Sequence, residues 1–485
     1  MKRETITALE AIVGKEYVIS DEETMRPYEC DGLSVYTEMP ACVVLPASTD
    51  EVMAVISLCY QHKLKVVARG AGTGLSAGTL PLNDGLLLSL ARLNRILDID
   101  KETALAVVQP GVRNLAISEQ ASQEGLYYAP DPSSQIACSI GGNVAENAGG
   151  VHCLKYGLTV HNVVSALVVT AEGEKLVLGG AAYDLPGFDL LALITGSEGM
   201  LGIVTEITVR LLPVPEVARV ILAGFDSVEN AANAVNDIIA NGIIPAGLEM
   251  MDAYAISAAE DFAKAGYPRE ADALLLCELD GSEEDVNHQL LQTQKILQQA
   301  GATTLKISES EEERARMWKG RKSAFPAVGR ISPDYYCMDG TIPRSELANV
   351  LNQIHQLSRF YGLRVANVFH AGDGNLHPLI LFDANVQGEL EKTEEFGAEI
   401  LRICVEAGGC ITGEHGVGVE KINQMHHQFN DAELAQFHRV KAAWDNEGLL
   451  NPGKGIPEPK HCQEHKTLTH SQGKKSKRTV GSSNG

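Results

Sequence analysis

Residues 66–78 read V-V-A-R-G-A-G-T-G-L-S-A-G and decide the fold of this chain. An apolar, β-branched run stops in a loop that contains Gly70, Gly72, Gly74 and Gly78. Small residues let the backbone approach a ligand closely and present successive N–H groups to it, as in a pyrophosphate site. The alternative is a tight turn without a ligand, and the loop alone does not separate the two interpretations.

The spacing of this loop excludes the two commonest phosphate loops. A Walker loop requires Lys followed by Ser or Thr, and the loop contains no Lys. A Rossmann fingerprint opens a helix, whereas this loop is followed by Pro81, the turn residues 83–85 and another strand-like run at 86–90.

Two further glycine-rich segments change the interpretation. P-D-P-S-S at 130–134 leads into S-I-G-G-N-V-A-E-N-A-G-G at 139–150, and G-S-E-G-M-L-G-I-V-T-E follows at 196–206. In this order the three segments resemble the FAD-binding domain of the vanillyl-alcohol oxidase/p-cresol methylhydroxylase (PCMH) flavoproteins. Within that superfamily, residues 1–456 are similar to the group of glycolate oxidase flavoprotein subunits and D-lactate and D-2-hydroxyglutarate dehydrogenases.

The resemblance implies that FAD contacts all three segments and one residue near the C-terminus. These positions are Arg69, Gly70, Ala71, Gly72, Thr73, Gly74, Leu75, Ser76, Pro130, Asp131, Ser134, Ser139, Gly141, Gly142, Asn143, Asn147, Gly149, Gly150, Glu198, Gly202, Ile203, Val204 and Asn451. The first loop lacks the His to which some members of the superfamily attach the flavin. We therefore expect FAD to be bound noncovalently.

Composition restricts the partners and the compartment. The 485 residues carry a formal charge of −23, which disfavours nucleic acid and anionic membrane surfaces. The ten cysteines include no C-x-x-C pair and no cluster spaced for an iron–sulfur centre, as expected for reduced thiols in the cytosol. No apolar run comes near the length of about 20 residues that a membrane span requires. We expect a cytoplasmic protein, with any membrane association made through partner subunits.

The chain divides best at Pro213-Val214-Pro215, because two prolines end the preceding strand. Strand and helix patterns then alternate in β-α-β units, which suggests a ferredoxin-like cap. We predict an α+β protein with a two-part FAD-binding domain of the vanillyl-alcohol oxidase type, a ferredoxin-like α+β cap domain and a C-terminal helical segment. The predicted parts are an N-terminal segment (1–37), the FAD-binding domain (38–216), the substrate or cap domain (217–418), a helical segment that returns to the FAD domain (419–457) and a disordered tail (458–485).

Two motifs in the second half contain candidate metal ligands. H-A-G-D-G-N-L-H spans 370–377, and G-E-H-G spans 413–416. Two imidazoles and a carboxylate can hold a cation with positions left open for substrate, although the histidines could instead cap a hairpin turn. The resemblance implies that His370, His377 and Glu414 bind a divalent cation such as Zn, Mn or Fe, and that His415 is the catalytic base.

A substrate carboxylate would need a cation, and W-K-G-R-K at 318–322 offers Arg321. Such a run is usually a solvated helix face, but the resemblance implies that Arg321 contacts substrate. Two positions depart from the hydroxyglutarate enzymes: Leu379 replaces an Asn and Cys337 replaces a substrate-binding Lys. A long dicarboxylate is therefore disfavoured.

The leading hypothesis is FAD-dependent oxidation of a small 2-hydroxy acid, glycolate first and D-lactate next, by hydride transfer to flavin N5. Because the chain has no iron–sulfur motif, the resemblance implies a second flavoprotein-like subunit and an iron–sulfur subunit as partners. One alternative is a noncatalytic flavin-binding subunit of an oxidase complex. Another is a plain metal-binding or nucleotide-binding module.

Overall fold

The computed structural model describes residues 1–182 and 186–458. Residues 459–485, and with them nearly all of the predicted tail, lie outside the described residues. Helices and sheets are both present, and the predicted α+β class is confirmed.

The strands are numbered in chain order. They are β1 (Val18–Ile19), β2 (Cys42–Val44), β3 (Val66–Arg69), β4 (Leu86–Ser89), β5 (Ile96–Asp100), β6 (Leu105–Val108), β7 (Leu126–Tyr127), β8 (Val163–Val169), β9 (Lys175–Gly179), β10 (Ile203–Arg210), β11 (Leu212–Pro213), β12 (Val217–Phe225), β13 (Gly247–Asp252), β14 (Ala273–Gly281), β15 (Thr304–Ile307), β16 (Asp334–Cys337), β17 (Gly340–Thr341), β18 (Arg364–His370) and β19 (Asn375–Phe382).

The α-helices are numbered in the same way. They are α1 (Arg3–Val13), α2 (Glu22–Met25), α3 (Thr49–His62), α4 (Asn114–Ala121), α5 (Ile140–Glu146), α6 (Cys153–Tyr156), α7 (Thr159–Asn162), α8 (Leu190–Ile194), α9 (Val228–Ala240), α10 (Ala253–Ala263), α11 (Glu283–Gln299), α12 (Glu311–Lys322), α13 (Ala324–Val328), α14 (Leu347–Tyr361), α15 (Glu389–Glu406), α16 (Met425–Gln428) and α17 (Asp431–Trp444). Within 1–182 and 186–458, no helix combines the length and apolar character that a membrane crossing requires.

The first sheet brings the glycine loop to its edge. Its order is β1-β2-β4-β3, with β2 and β3 parallel to β4. The sequence placed residues 1–37 outside the main domain, but Leu9 and Val13 of α1 are buried in this sheet's core together with Val52 and Ile56 of α3. The apolar stripe of α1 is covered only in this position. The C-terminal end of β3 leads directly into the loop that starts at Gly70.

The second sheet is antiparallel, in the order β5-β6-β10-β8-β9. A hairpin turn at 171–174 connects β8 to β9. Ile140 and Val144 of α5 pack in one core with Ile207 and Val209 of β10. This packing fixes the second glycine-rich segment against the second sheet.

The cap is one large antiparallel sheet in the order β15-β12-β14-β13-β18-β19-β16, with β17 also paired to β19. Alternating residues of β12 point to opposite faces, as the period of a strand requires. Ile221 and Ala223 join the core under α9, α11, α14 and α15, whereas Val220 and Leu222 join the core under α10, α12 and α13. The hairpin between β18 and β19 carries the H-A-G-D-G-N-L-H motif.

Serine side chains set the starts of several helices. Ser48 Oγ accepts the N–H of Glu51 at 3.2 Å and so caps α3. Ser227, Ser282 and Ser310 act in the same way at α9, α11 and α12. These three helices of the cap domain therefore begin at a defined residue after the preceding strand.

The C-terminal segment returns to the first sheet. After α17, Leu449 accepts the N–H of Val66 at 2.8 Å, and Asn451 donates its N–H to the carbonyl of Val66 at 2.8 Å. Residues 449–451 therefore lie along β3, next to the glycine loop.

We expect Asp445→Ala to lower the free energy of unfolding by about 2–4 kcal/mol. The buried carboxylate accepts the N–H groups of Leu449 at 3.0 Å and Leu450 at 2.7 Å, and it pairs with Lys441 at 2.6 Å. Urea denaturation measures the change. The control is Glu447→Ala, which breaks an exposed pair with Lys63 and should cost about 1 kcal/mol or less. Equal losses for the two variants would contradict this account of the C-terminal segment.

Candidate active site

A cavity of about 500 Å³ lies where the flavin-binding half meets the cap. From the first half it is lined by Asp31, Gly70, Ala71, Gly72, Thr73, Gly74, Leu75, Thr79, Pro132, Ser133, Ser134, Ile136, Ala137, Cys138, Ser139, Gly142, Asn143, Glu146 and Ala148. From the second half it is lined by Lys322, Phe325, Pro326, His377, Glu414 and His415. The glycine loop and the H-x6-H and G-E-H-G motifs therefore meet in one space.

Position 70 must be a glycine because the first and second glycine-rich segments approach each other closely there. A Cβ built on Gly70 would lie 2.1 Å from Ser139 Oγ. Ser139 caps α5 by accepting the N–H of Gly142 at 3.4 Å. The backbone of the first glycine-rich segment thus packs against the Ser139 side chain of the second, and a larger residue would not fit at position 70.

A narrow recess of about 60 Å³ adjoins the cavity and is lined by most of the third segment. Its walls include these predicted FAD contacts: Arg69, Gly70, Gly141, Gly142, Glu198, Gly202, Ile203 and Val204. Gly70, Thr79, Gly142 and Glu146 line both spaces. A dinucleotide that occupied the cavity and the recess would pass between them along these four residues.

Other predicted FAD contacts do not line the cavity or the recess but hold neighbouring backbone. Pro130 accepts a hydrogen bond from Asn114 at 3.0 Å, and Asp131 lies 3.0 Å from His152. Asn147, at a φ of 53°, accepts the N–H of Val160 at 2.9 Å.

Gly149 lies against the second motif, since a Cβ built on it would be 2.7 Å from Glu414 Oε2. A Cβ on Gly150 would be 2.5 Å from the backbone of Asp131. The carbonyl of Ser76 accepts the N–H groups of Val419 and Glu420. Of these predicted contacts, Gly149 and Ser76 join the two halves of the chain.

Asn451 connects the C-terminal segment to the FAD-binding half. Its Nδ2 donates to the carbonyls of Gly78 at 2.9 Å and Glu198 at 2.7 Å. Its Oδ1 accepts a hydrogen bond from Lys454 at 2.7 Å.

The residues around the cavity fit a dinucleotide. Arg69 Nε, Ser76 Oγ, Thr79 Oγ1 and Glu146 Oε2 are buried and have no hydrogen-bond partner among the described residues. Buried polar atoms are normally satisfied, so unpaired ones beside a cavity indicate a ligand. The loop at 70–78 contains no His, Cys or Tyr that could form a covalent link.

The three predicted metal ligands converge. Glu414 Oε1 lies 3.0 Å from His377 Nε2 and 3.5 Å from His370 Nε2. Ligand atoms of all three residues lie within 4.8 Å of one another. Two imidazole nitrogens and one carboxylate oxygen at this separation fit a divalent cation.

The remaining ring nitrogens of both histidines are held by acceptors. His370 Nδ1 lies 2.8 Å from Glu249 Oε1, and His377 Nδ1 lies 3.3 Å from the carbonyl of Met338. Acceptors on the far nitrogen fix the tautomer and ring orientation of a metal-ligating imidazole. Both Nε2 atoms are therefore directed toward Glu414, and Glu249 is a functional residue that the sequence did not reveal.

His415 lies beside this set. Its ring stacks on that of His377, with centroids 5.0 Å apart and planes 10° from parallel. Its Nδ1 is buried without a partner in the described part of the chain. Burial lowers the pKa of His415 to about 4, against the opposing effect of Asp339. The imidazole is thus neutral at neutral pH.

Arg321 and Lys322 have different environments. Arg321 is fully buried, with Nη2 2.6 Å from Glu249 Oε2, and none of its side-chain nitrogens makes a hydrogen bond of good geometry with the described residues. It does not line the cavity, whereas Lys322 does. Burial raises the pKa of Glu249, but His370 and Arg321 bring it below its ordinary value. A buried ion pair of Arg321 and Glu249 therefore stands behind His370.

Asp339 fixes the G-E-H-G loop. Its buried carboxylate accepts the N–H groups of Gly413 at 2.9 Å, Glu414 at 3.1 Å and His415 at 2.8 Å, and the hydroxyl of Thr412 at 2.6 Å. The sequence singled out Cys337 in the same motif and missed Asp339. The signal available in the sequence was a charged Asp directly before Gly340, next to an apolar strand-like run.

We expect Asp339→Asn to loosen this loop, because a neutral amide oxygen accepts weaker hydrogen bonds than the carboxylate oxygen Oδ2 that receives these four contacts. Amide hydrogen exchange of residues 413–415, followed by mass spectrometry, should accelerate about tenfold or more. The control is Asp334→Asn, which affects only a bond to the N–H of Ala384 at the sheet edge. Unchanged exchange at 413–415 would contradict the role assigned to Asp339.

Two domain families match this chain. Residues 40–179 match the FAD binding domain, and residues 214–455 match the C-terminal domain of FAD linked oxidases. The matches cover the segments that supply the two sides of the cavity.

Curated relatives match along most of the chain. Glycolate oxidase subunit GlcD of Escherichia coli K12 is 64% identical over 94% of this chain and 91% of its own length. The subunit of the same name from Bacillus subtilis is 41% identical, over 88% and 91%. A D-lactate dehydrogenase of Anaerostipes hadrus is 32% identical, over 93% and 97%.

Solved structures have the same fold. 4-Ethylphenol oxidase from Gulosibacter chungangensis superposes with a TM-score of 0.79 at 20% identity, covering 94% of this chain and 97% of the other. p-Cresol methylhydroxylase superposes with a TM-score of 0.78 at 16% identity, covering 94% and 96%. The predicted fold is confirmed, and the chain belongs to the family of FAD-linked oxidases, which are oxidoreductases.

Proposed function

We propose that this chain oxidises a small 2-hydroxy acid, with glycolate the first candidate and D-lactate the second. The observation that carries the proposal is the single cavity shared by the glycine loop and by His377, Glu414 and His415. The names of the relatives, glycolate oxidase subunit and D-lactate dehydrogenase, support the same two substrates.

The FAD-binding domain would hold FAD noncovalently, through the predicted contacts that line the cavity and the recess. His370, His377 and Glu414 would hold a divalent cation, for which Zn, Mn and Fe are candidates. When bound, FAD supplies an acceptor for the hydride of the substrate α-carbon, and the cation supplies a Lewis acid for the substrate hydroxyl and carboxylate.

His415 is the proposed base. The hydroxyl of a 2-hydroxy acid is a weak acid, so its proton must be taken by a neutral base in the cavity. His415 lines the cavity and has an unpartnered ring nitrogen that can accept a proton. Asp339 holds the backbone of His415 and thereby orients the base.

Arg321 and Lys322 are the proposed cations for the substrate carboxylate. The free N–H groups of the buried Arg321 guanidinium fit an anionic ligand, since a buried cation with one partner is undersatisfied. Lys322 lines the cavity directly.

A small substrate is favoured over a dicarboxylate. Cys337 and Leu379 are paired neighbours on β16 and β19, and both are buried in an apolar core. Neither offers a cationic group for a second carboxylate. Glycolate and D-lactate differ by one methyl group, which a pocket distinguishes by about 1–3 kcal/mol.

We further propose that electrons leave through partner subunits, a second flavoprotein-like subunit and an iron–sulfur subunit, because the sequence contains no iron–sulfur motif. The word subunit in the names of the relatives supports an assembly. The cytoplasm is the proposed compartment, and the nine free cysteines of the described residues suit it. A noncatalytic role is disfavoured by the complete set of histidines and Glu414.

Anaerobic mixing of the FAD-loaded protein with a panel of 2-hydroxy acids tests the substrate. Glycolate and D-lactate should bleach the oxidised flavin, and 2-hydroxyglutarate should react much more slowly. A chelator should slow bleaching, since the cation would stabilise the developing negative charge on the substrate oxygen. Absence of bleaching with every acid would contradict the proposed function.

The variant His377→Ala should reduce the bleaching rate by at least about 10- to 100-fold. The matched control is His355→Ala, an exposed histidine on α14, which should leave the rate unchanged. Equal rates in both variants, together with no effect of the chelator, would contradict the proposed cation site.

A further inference from the structure

Glu146 is the last residue of α5 and lines both the cavity and the recess. It belonged to the glycine-rich segment in the sequence but was not among the predicted FAD contacts. A ligand long enough to occupy both spaces must pass its carboxyl group.

The carboxyl group of Glu146 has no hydrogen bond to any of the described residues, and its Oε2 is closed off from solvent. A carboxyl group in this condition is unfavourable unless a ligand supplies a partner. No other element of the described fold offers one.

Space for this carboxyl group is left by a glycine of the opposite half. Gly416 has a φ of 80°, and a Cβ built on it would lie 2.1 Å from Glu146 Oε2. Any other residue at 416 would displace the carboxyl group. The last glycine of the G-E-H-G motif therefore has two roles. It adopts the positive φ of the turn, and it leaves space for the carboxyl group of Glu146.

The surroundings of Glu146 favour its neutral form. Burial raises its pKa well above the ordinary value, and the nearby carboxylates of Glu198, Asp31 and Asp339 act in the same direction, against Lys421. Burial raises the pKa of Glu198 as well, but its two oxygens accept the N–H groups of residues 417 and 418 at 2.7 Å each, and these bonds favour its ionised form. Of the two carboxyl groups, only that of Glu198 accepts hydrogen bonds from the described residues, and that of Glu146 accepts none.

We propose that Glu146 is a binding residue for FAD, whose carboxyl group donates a hydrogen bond to an oxygen or nitrogen acceptor of the dinucleotide. The inference rests on FAD binding and not on the identity of the 2-hydroxy acid. A neutral carboxyl group suits the site because an ionised one would repel the pyrophosphate and could only accept hydrogen bonds.

Three variants of the FAD-loaded full-length protein test the proposal. Glu146→Gln keeps the shape and a donor, Glu146→Met keeps the length and removes the donor, and Glu119→Gln changes an exposed carboxylate of the same half. Dilution of each holoprotein, followed by the fluorescence of released flavin, gives the dissociation constant for FAD.

We expect the dissociation constant to rise about tenfold or more in Glu146→Met and to stay within about threefold of the native value in Glu146→Gln and Glu119→Gln. A native dissociation constant in Glu146→Met would overturn the proposal. Equal weakening in Glu146→Gln and Glu146→Met would also overturn it, because a retained donor would then have no effect. If Glu146→Met fails to fold, Glu146→Ala replaces it. The readout is independent of turnover, so a failure of the substrate assignment would leave it intact.

Discussion

Glu198 holds the two halves of the molecule together at the site. Its carboxylate, from the third glycine-rich segment of the flavin-binding half, accepts the N–H groups of Val417 and Gly418 at 2.7 Å each. Its own carbonyl accepts the side chain of Asn451. A buried carboxylate paired with two amides is a strong, directional contact, and removing one partner would leave the others unsatisfied. The position of the G-E-H-G loop against the glycine loop depends on this contact.

That contact requires backbone to pass close to backbone. A Cβ on Gly418 would lie 2.1 Å from the carbonyl of Ser76, and a Cβ on Gly416 would strike Glu146. The glycines after His415 therefore let the cap loop lie directly on the flavin-binding half. This closeness brings His377, Glu414 and His415 into the cavity that the early glycines line. The proposed FAD site and the proposed catalytic residues are thus joined by packing.

The glycine segments and the candidate ligands His370, His377 and Glu414 could be found because each lies in a short motif, and the resemblance to a flavoprotein family supplied their predicted roles. It missed Glu249, which contacts His370 across 121 residues of sequence and lies in an apolar strand without a local signature. Asp339 was missed for the same reason, since its partners come from residues 412–415. Glu146 was missed because only the fold places its carboxyl group at the cavity and against Gly416. The predicted role of Arg321 came from its motif, but only the fold places it behind His370 and places Lys322 at the cavity.

The central claim is that a cation held by the two imidazoles and Glu414 shares one cavity with the flavin. Diffraction at the absorption edge of the bound metal, from crystals of the FAD-loaded protein, tests it most directly. The account predicts an anomalous peak between His370, His377 and Glu414, within the cavity that also contains the flavin ring. A metal peak elsewhere, or a flavin ring separated from these side chains by protein, would contradict it.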